Sequence, residues 1–66
     1  MRIRVNGKNM EVAECLTVEG LLAHLELVPA SVAVERNGKV LPRGKFGEEV
    51  LAPDDELEIV TFVGGG

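Results

Sequence analysis

The chain ends in three consecutive glycines, Gly64, Gly65 and Gly66. They have no side chain to pack, and glycine has more conformational freedom than any other residue type. At about 3.3 to 3.6 Å per extended residue, three residues project a terminal carboxylate roughly 10 Å beyond a folded body. We therefore expect residues 64–66 to form a flexible tail and the Gly66 carboxylate to be the reactive group. The same ending is also typical of a linker or of a frayed terminus without a function.

The side chains offer few alternatives as reactive groups. His24 is predicted to face solvent, away from the apolar stripe of a helix, and no Ser, Cys or Asp has the spacing of a catalytic partner. One histidine and one cysteine do not make a metal site. Cys15 is expected to be a small packed hydrophobe and not a persulfide carrier. The pair Asp54 and Asp55 lacks the further oxygen ligands that calcium requires.

Size and charge argue against two classes of protein. In a chain of 66 residues, only about 60% of the unfolded surface becomes buried, whereas a small-molecule site needs a cleft of about 300 Å³ or more. We therefore expect a protein that is not an enzyme. The formal net charge of −4 repels phosphates, so nucleic-acid binding is not expected. Acidic residues are concentrated over residues 48–58, as a solvated surface or as a docking patch for a basic partner.

Composition indicates a folded domain outside the membrane. Hydrophobic residues make up 45% of the chain and charged residues 27%, which is typical of a globular protein. A single cysteine excludes an internal disulfide, and neither a signal peptide nor an apolar run of about 18 residues is present. We therefore expect a cytoplasmic protein.

Two Asn-Gly pairs, Asn6-Gly7 and Asn37-Gly38, each follow a segment in which apolar and polar residues alternate. Both residue types tolerate the positive φ of a type I′ turn, so each pair predicts an antiparallel β-hairpin. No chemical role is assigned to these four residues.

One amphipathic helix is predicted between the hairpins. Its apolar residues recur at i, i+3, i+4 and i+7, namely Val18, Leu21, Leu22 and Leu25. Thr17 is a suitable N-cap. We expect about ten helical residues ending near Leu27, because Pro29 disfavours helical angles in the residue before it.

The last predicted strand begins where apolar and acidic residues alternate, over residues 56–59. Val60 and Phe62 then make its far half apolar on both faces, which is typical of a buried strand in the middle of a sheet. Residues 43–49 are predicted to form a loop or a short helical turn with Phe46 packed inward.

The order of these elements predicts an α+β fold, a four- to five-stranded mixed sheet packed on one helix. If the last strand lies beside the first, the two run parallel. We expect a single domain over residues 1–63, followed by the tail at 64–66.

With the turn Val5-Asn6-Gly7, the segment AVERNG at 33–38 and the ending LEIVTFVGGG all considered, the chain resembles the ThiS family. These are sulfur carrier proteins of thiamine biosynthesis, with the β-grasp fold of ubiquitin, and they are similar to the small subunit of molybdopterin synthase. The resemblance runs the full length, and the terminal Gly-Gly is its specific element. Phe46, commonly Trp in such sequences, and Asp54, often Gly, depart from the pattern.

The resemblance implies a mechanism on the Gly66 carboxylate. An E1-like adenylyltransferase would use ATP and Mg²⁺ to form an acyl-adenylate, and a persulfide from a cysteine desulfurase system would displace AMP. The resulting thiocarboxylate would donate its sulfur to thiazole synthase. The chain itself would bind no cofactor, nucleic acid or membrane.

The resemblance also suggests which residues meet the partners. Gly65 and Gly64 would enter the narrow active site of the partner. Phe62, Val63 and Glu58 would lie on the docking surface. Three alternatives stay open, namely a molybdopterin-type carrier, a ubiquitin-like interaction module that does not use its terminus, and a protein conjugated through an isopeptide bond.

Overall fold

The structure, a computed structural model, describes residues 1–62. Its elements are β1 (Arg2–Val5), β2 (Lys8–Glu11), α1 (Val18–His24), a 3₁₀ helix (Pro29–Ser31), β3 (Val32–Arg36), β4 (Lys39–Val40), a second 3₁₀ helix (Arg43–Lys45) and β5 (Glu56–Thr61). Val63, the predicted tail at 64–66 and the predicted domain boundary lie outside the described residues. No helix within this part of the chain is long and apolar enough to cross a membrane.

The five strands form one mixed sheet in the order β2-β1-β5-β3-β4. β5 is its central strand, parallel to β1 with Val5 opposite Leu57, and antiparallel to β3 with Ala33 opposite Val60. The predicted parallel pairing of the first and last strands is therefore confirmed. Both hairpins are also confirmed.

The two hairpin turns have the backbone angles that their sequences predict. Asn6 and Asn37 each have φ of 51°, and Gly7 and Gly38 have φ of 82° and 84°. Positive φ at both central positions is the mark of a type I′ turn. The turn chemistry therefore fixes where β1 and β3 end.

Helix α1 begins as predicted but ends earlier. The side-chain oxygen of Thr17 accepts a hydrogen bond from Gly20 N–H at 3.0 Å, which confirms Thr17 as the N-cap. The prediction of an end near Leu27 is wrong, because α1 has seven residues and stops at His24. Glu26, at φ 60°, turns the chain out of the helix, and the Leu27 N–H closes the end on Leu22 O. This closure usually uses glycine, so no local pattern predicted it.

The hydrophobic core lies between α1 and one face of the sheet. Ten apolar residues are buried there, namely Ile3, Val18, Leu21, Leu22, Val32, Val34, Phe46, Leu51, Leu57 and Ile59. The inward packing of Phe46 is confirmed. The prediction that Val60 and Phe62 are buried is wrong, since they are 58% and 47% exposed. A single helix covers only one face of the sheet, so alternate residues of β5 face away from the core.

Replacing Thr17 with alanine is expected to lower the free energy of unfolding by about 1 kcal/mol, because the cap oxygen that satisfies Gly20 N–H is lost. Urea denaturation measures this change. Thr17→Ser keeps the hydroxyl and should retain most of the stability. Equal losses in the two variants would contradict a capping role.

Candidate functional site

Two of the predicted site residues, Glu58 and Phe62, lie within the described residues, on β5 and directly after it. Glu58 and Phe62 both lie on the face of the sheet turned away from α1, which we call the outer face. Gly64, Gly65 and Gly66 follow Phe62 in the sequence but lie outside the described residues, as does Val63. The structure therefore places the strand that leads to the predicted tail, and the surface on either side of it.

The outer face carries an apolar patch next to the end of β5. We define the outer patch as Ala33, Val40, Val60 and Phe62, which lie on β3, on β4 and at the C-terminal end of β5. The strand register places Ala33 opposite Val60 on this face. Val40 is 71% exposed, and the other three are also exposed. Val40 lies opposite Glu35, which is the next residue of β3 on this face after Ala33. Exposed apolar side chains grouped on one face are typical of a surface that contacts another molecule.

Charged residues lie on the outer face on the side of the patch toward the start of β5. Glu35 of β3 lies opposite Glu58 of β5 and also opposite Val40 of β4, so acids border the patch. Arg2 and Arg4 project from β1 on the same face, and Arg4 lies 3.8 Å from a carboxylate oxygen of Glu56. A partner surface that complements this face is apolar opposite the outer patch and basic opposite Glu35 and Glu58.

Asn6 holds β5 from the β1 side with its side chain. Its Oδ1 accepts a hydrogen bond from Ile59 N–H at 2.8 Å, and its Nδ2 donates to Ile59 O at 3.1 Å. The Asn6 N–H itself donates to Leu57 O at 2.9 Å. Asn6 was predicted only as a turn residue, because a contact across 53 positions of sequence leaves no local pattern.

A second cluster fixes the start of β5. Asp55, which is 6% exposed, accepts hydrogen bonds from Arg36 at 2.9 Å, from Asn37 at 3.0 Å and from Ala52 N–H at 2.8 Å. Arg36 also pairs with Glu49 at 2.8 Å. Burial alone would raise the pKa of Asp55, but the hydrogen bonds from Ala52 and Asn37 and the charge of Arg36 together lower it. Asp55 is therefore held as an anion, in a structural role.

The other candidate side chains do not form a reactive centre. His24 is exposed, as predicted, and lines an open depression of about 320 Å³ with Glu11, Val12 and Leu16. Cys15 is exposed, so the prediction that it is packed is wrong. It lies in a turn at φ 63°, outside the core. Within residues 1–62, no three His, Cys, Asp or Glu side chains are placed to hold a metal ion.

A mixed sheet in the order 2-1-5-3-4, with one helix across a single face, defines a β-grasp protein. The predicted fold class is thus confirmed. The chain belongs to the ThiS family, whose model matches residues 3–66. The ThiS family consists of small sulfur carrier proteins and not of catalytic enzymes.

Individual relatives agree with this family. The crystal structure of the thiamine biosynthesis protein ThiS from Geobacter metallireducens is 42% identical, covers 100% of both chains and superposes with a TM-score of 0.84. The sulfur carrier protein ThiS of Bacillus subtilis is 37% identical over 65 residues, covering 97% of this chain and 98% of the relative.

A second kind of relative is longer. A protein named thiazole synthase from Magnetococcus marinus is 47% identical over 66 residues, which is 100% of this chain but 20% of the relative. A thiazole synthase of Paramagnetospirillum magneticum matches in the same proportion, with 38% identity. The chain thus spans about one fifth of the length of these thiazole synthase relatives.

Proposed function

We propose that this chain is a sulfur carrier in thiamine biosynthesis and that the carboxylate of Gly66 carries the sulfur. The observation that carries the proposal is the ThiS family match, which continues through the glycine segment to residue 66. The position of β5 supports it. The strand that precedes the glycines lies at the centre of the sheet, held by β1 and Asn6 on one side and by β3 on the other.

The chemistry follows from the weakness of a carboxylate as an electrophile. Attack of a Gly66 carboxylate oxygen on the α-phosphorus of ATP forms an acyl-adenylate and releases pyrophosphate. A persulfide then attacks the acyl carbon and displaces AMP, and a thiol reduces the remaining sulfur–sulfur bond to leave a thiocarboxylate. We assign these steps to an E1-like adenylyltransferase with Mg²⁺ and to a cysteine desulfurase system. The folded domain supplies no catalytic group.

Glycine suits such a tail for steric reasons. An activated carbonyl has to reach a water-excluded site in a separate enzyme, because water would hydrolyse it. Each added Cβ would make the tail wider and restrict its backbone angles. We therefore propose that Gly64 and Gly65 occupy the channel of the partner while Gly66 reacts.

We propose the outer patch as the surface that docks on the E1-like adenylyltransferase, together with Glu58 and Val63. The patch ends at Phe62, one residue before the predicted glycine tail, so a partner that receives the tail is brought against the patch. The exposed valines and Phe62 supply apolar area. Glu35 and Glu58 favour a partner with basic residues on their side, which increases the association rate and selects the orientation.

Thiazole synthase is the acceptor that we propose for the sulfur. Relatives named thiazole synthase contain a segment similar to this chain within one polypeptide. A carrier joined to its acceptor has a high effective concentration at the acceptor's site. The carrier and thiazole synthase are therefore expected to interact also when the carrier is a separate chain.

Intact-mass analysis tests the proposed function. The protein is incubated with an E1-like adenylyltransferase, ATP, Mg²⁺ and a persulfide source. We expect the mass to increase by one oxygen-to-sulfur exchange, located on the C-terminal peptide. A variant with one residue added after Gly66 should gain no sulfur. Sulfur gain in this blocked variant, or none in the wild type, would refute the proposal. If the protein is an interaction module that does not use its terminus, the wild type should gain no sulfur.

Replacing Val60 with aspartate is expected to raise the KM of the E1-like partner for the carrier at least about tenfold, because docking would bury an unpaired charge. Steady-state kinetics at varied carrier concentration measure this change. Val50→Asp is the matched control, since Val50 is 50% exposed but pairs with Thr17 outside the five-stranded sheet. Both variants should lose less than about 1 kcal/mol of stability. An unchanged KM for Val60→Asp would remove the outer patch from the interface.

A further inference from the structure

The pairing of β5 with β1 stops before β5 ends. Val5 lies opposite Leu57, and β1 then turns away at Asn6. β5 continues to Thr61, still paired with β3 on its other side. Among the described residues, no strand follows β1 along this edge of β5. The far half of β5, which leads to the tail, is thus flanked by a strand on one side only.

Alternate residues of β5 direct their backbone groups to opposite neighbours. Phe62 N–H donates to Ser31 O at 2.9 Å, and Glu56 O accepts from Asn37 N–H at 2.7 Å, so the even-numbered residues face β3. Leu57 and Ile59 therefore face β1. Ile59 lies one step beyond the last β1 residue that is paired. Within residues 1–62, the Asn6 side chain supplies the hydrogen-bond partners of Ile59 N–H and C=O on that side.

The Asn6 carboxamide replaces the missing strand. It accepts from Ile59 N–H at 2.8 Å and donates to Ile59 O at 3.1 Å, which are the two bonds that a neighbouring backbone would make. The left-handed backbone of Asn6, φ 51°, is part of the type I′ turn. One residue therefore ends the hairpin and extends the hydrogen-bonding of the sheet by one step toward the tail.

We propose that Asn6 is a positioning residue for sulfur transfer, which fixes the direction of β5 beyond Ile59 and thereby the direction from which the tail starts. This inference rests on the proposed function. Four residues, 63–66, separate Phe62 from the Gly66 carboxylate. Four extended residues span about 13 Å, so a small rotation at their root displaces the carboxylate by a larger distance. A root that is already ordered leaves less to be ordered when the partner binds.

This role predicts a change in KM and not in kcat. Without the Asn6 hydrogen bonds to Ile59, β3 is the only strand that holds residues 59–62 within the described part of the chain. Docking on the partner then has to restore their order. The ordering then weakens binding, which raises the KM for the carrier. Once the glycines lie in the partner's channel, the chemical step proceeds as before, so kcat stays the same.

The chain contains a matched control in Asn37. Asn37 has the same φ of 51° in the same type of turn, and its side chain also makes two hydrogen bonds at β5. Its Oδ1 accepts from Glu56 N–H at 2.9 Å, and its Nδ2 donates to Asp55 at 3.0 Å. These bonds lie at the start of β5, away from the tail. Asn6→Gly and Asn37→Gly both keep the turn, because glycine tolerates positive φ.

The experiment compares the two variants with the wild type in adenylation by the E1-like enzyme and in amide hydrogen exchange. We expect Asn6→Gly to raise the KM for the carrier about fivefold to tenfold, with kcat unchanged, and to accelerate exchange at Ile59 N–H. Asn37→Gly should leave the KM unchanged, although both variants lose stability in urea. Folding loss alone would not produce this difference, provided that the assay is run where both variants are folded.

The outcomes separate this inference from the proposed function. Equal KM values for the two variants, in the presence of normal wild-type sulfur transfer, would overturn the role of Asn6 alone. A decrease in kcat without a change in KM would also overturn it. A wild-type chain that gains no sulfur would overturn the proposed function, and this inference with it.

Discussion

Removing one tail glycine is expected to lower the rate of thiocarboxylate formation by at least about a hundredfold, since misplacing a reacting group by about 1 Å can cost that much. One extended residue spans about 3.3 to 3.6 Å, and the outer patch fixes the distance from which the tail has to reach. Deleting any of the three glycines gives the same sequence, so the variant tests tail length alone. Mass spectrometry of single-turnover reactions measures the rate.

Binding provides the control for this prediction. The shortened chain keeps Val60, Phe62 and the rest of the docking surface, so it should still compete with the wild type for the E1-like partner. We expect an inhibitor with an apparent affinity close to the KM of the wild type. A shortened chain that accepts sulfur at the normal rate would show that the reactive group is not held at a fixed distance from the sheet.

Replacing Asp55 with asparagine is expected to lower the free energy of unfolding by about 3 kcal/mol, because Arg36 would lose its buried anionic partner. A domain of 66 residues has a total stability of about 3 to 10 kcal/mol at the usual value per residue. The variant should therefore be close to unfolding at room temperature. Urea denaturation followed by circular dichroism measures the loss.

Asp54 supplies the matched control for Asp55. It is the preceding residue, is exposed, and has φ of 67°, which asparagine tolerates about as well as aspartate. Asp54→Asn changes the net charge by the same amount and should change the stability by less than about 0.5 kcal/mol. Equal losses at the two positions would assign the effect to net charge and not to the contacts of Asp55.

Acid should weaken the wild type through the same contact. The pKa of Asp55 is lower in the folded state than in the unfolded chain, so its ionised form stabilises the fold. That contribution is fully present above the unfolded pKa of about 3.9 and is lost as the pH falls through the folded pKa. Asp55→Asn should lack this component, which gives a smaller loss of stability below about pH 4 than in the wild type.

The elements that the sequence predicted correctly all have local signals. Asn-Gly between alternating segments indicates a hairpin whatever surrounds it, and Thr17 caps the helix through a contact three residues away. The central position of β5 was predicted from its apolar composition. Its parallel pairing with β1 followed from topology, because a long connection through a helix allows the last strand to lie parallel to the first. The predicted glycine tail at 64–66 lies outside the described residues and stays a prediction.

The features that the sequence did not predict depend on contacts between distant residues or on the absence of a second layer. The hydrogen bonds between Asn6 and Ile59 join residues 53 positions apart, and the contact between Arg36 and Asp55 joins residues 19 positions apart. Val60 and Phe62 are apolar residue types that usually lie in a core. They are exposed because no second layer among residues 1–62 covers them. The early end of α1 depends on Glu26, a residue type that rarely closes a helix by itself.

The last strand in the sequence is the middle strand of the sheet, and this order determines when the domain can form during translation. Until residues 56–61 have been synthesised, the two hairpins have no common neighbour, and Ile3 and Val34 have no strand between them. A nascent chain that lacks these residues is limited to local hairpins and a short helix, which are marginal in water. Assembly of this domain therefore waits for its last strand and depends on long-range contacts, which are the slow ones to form.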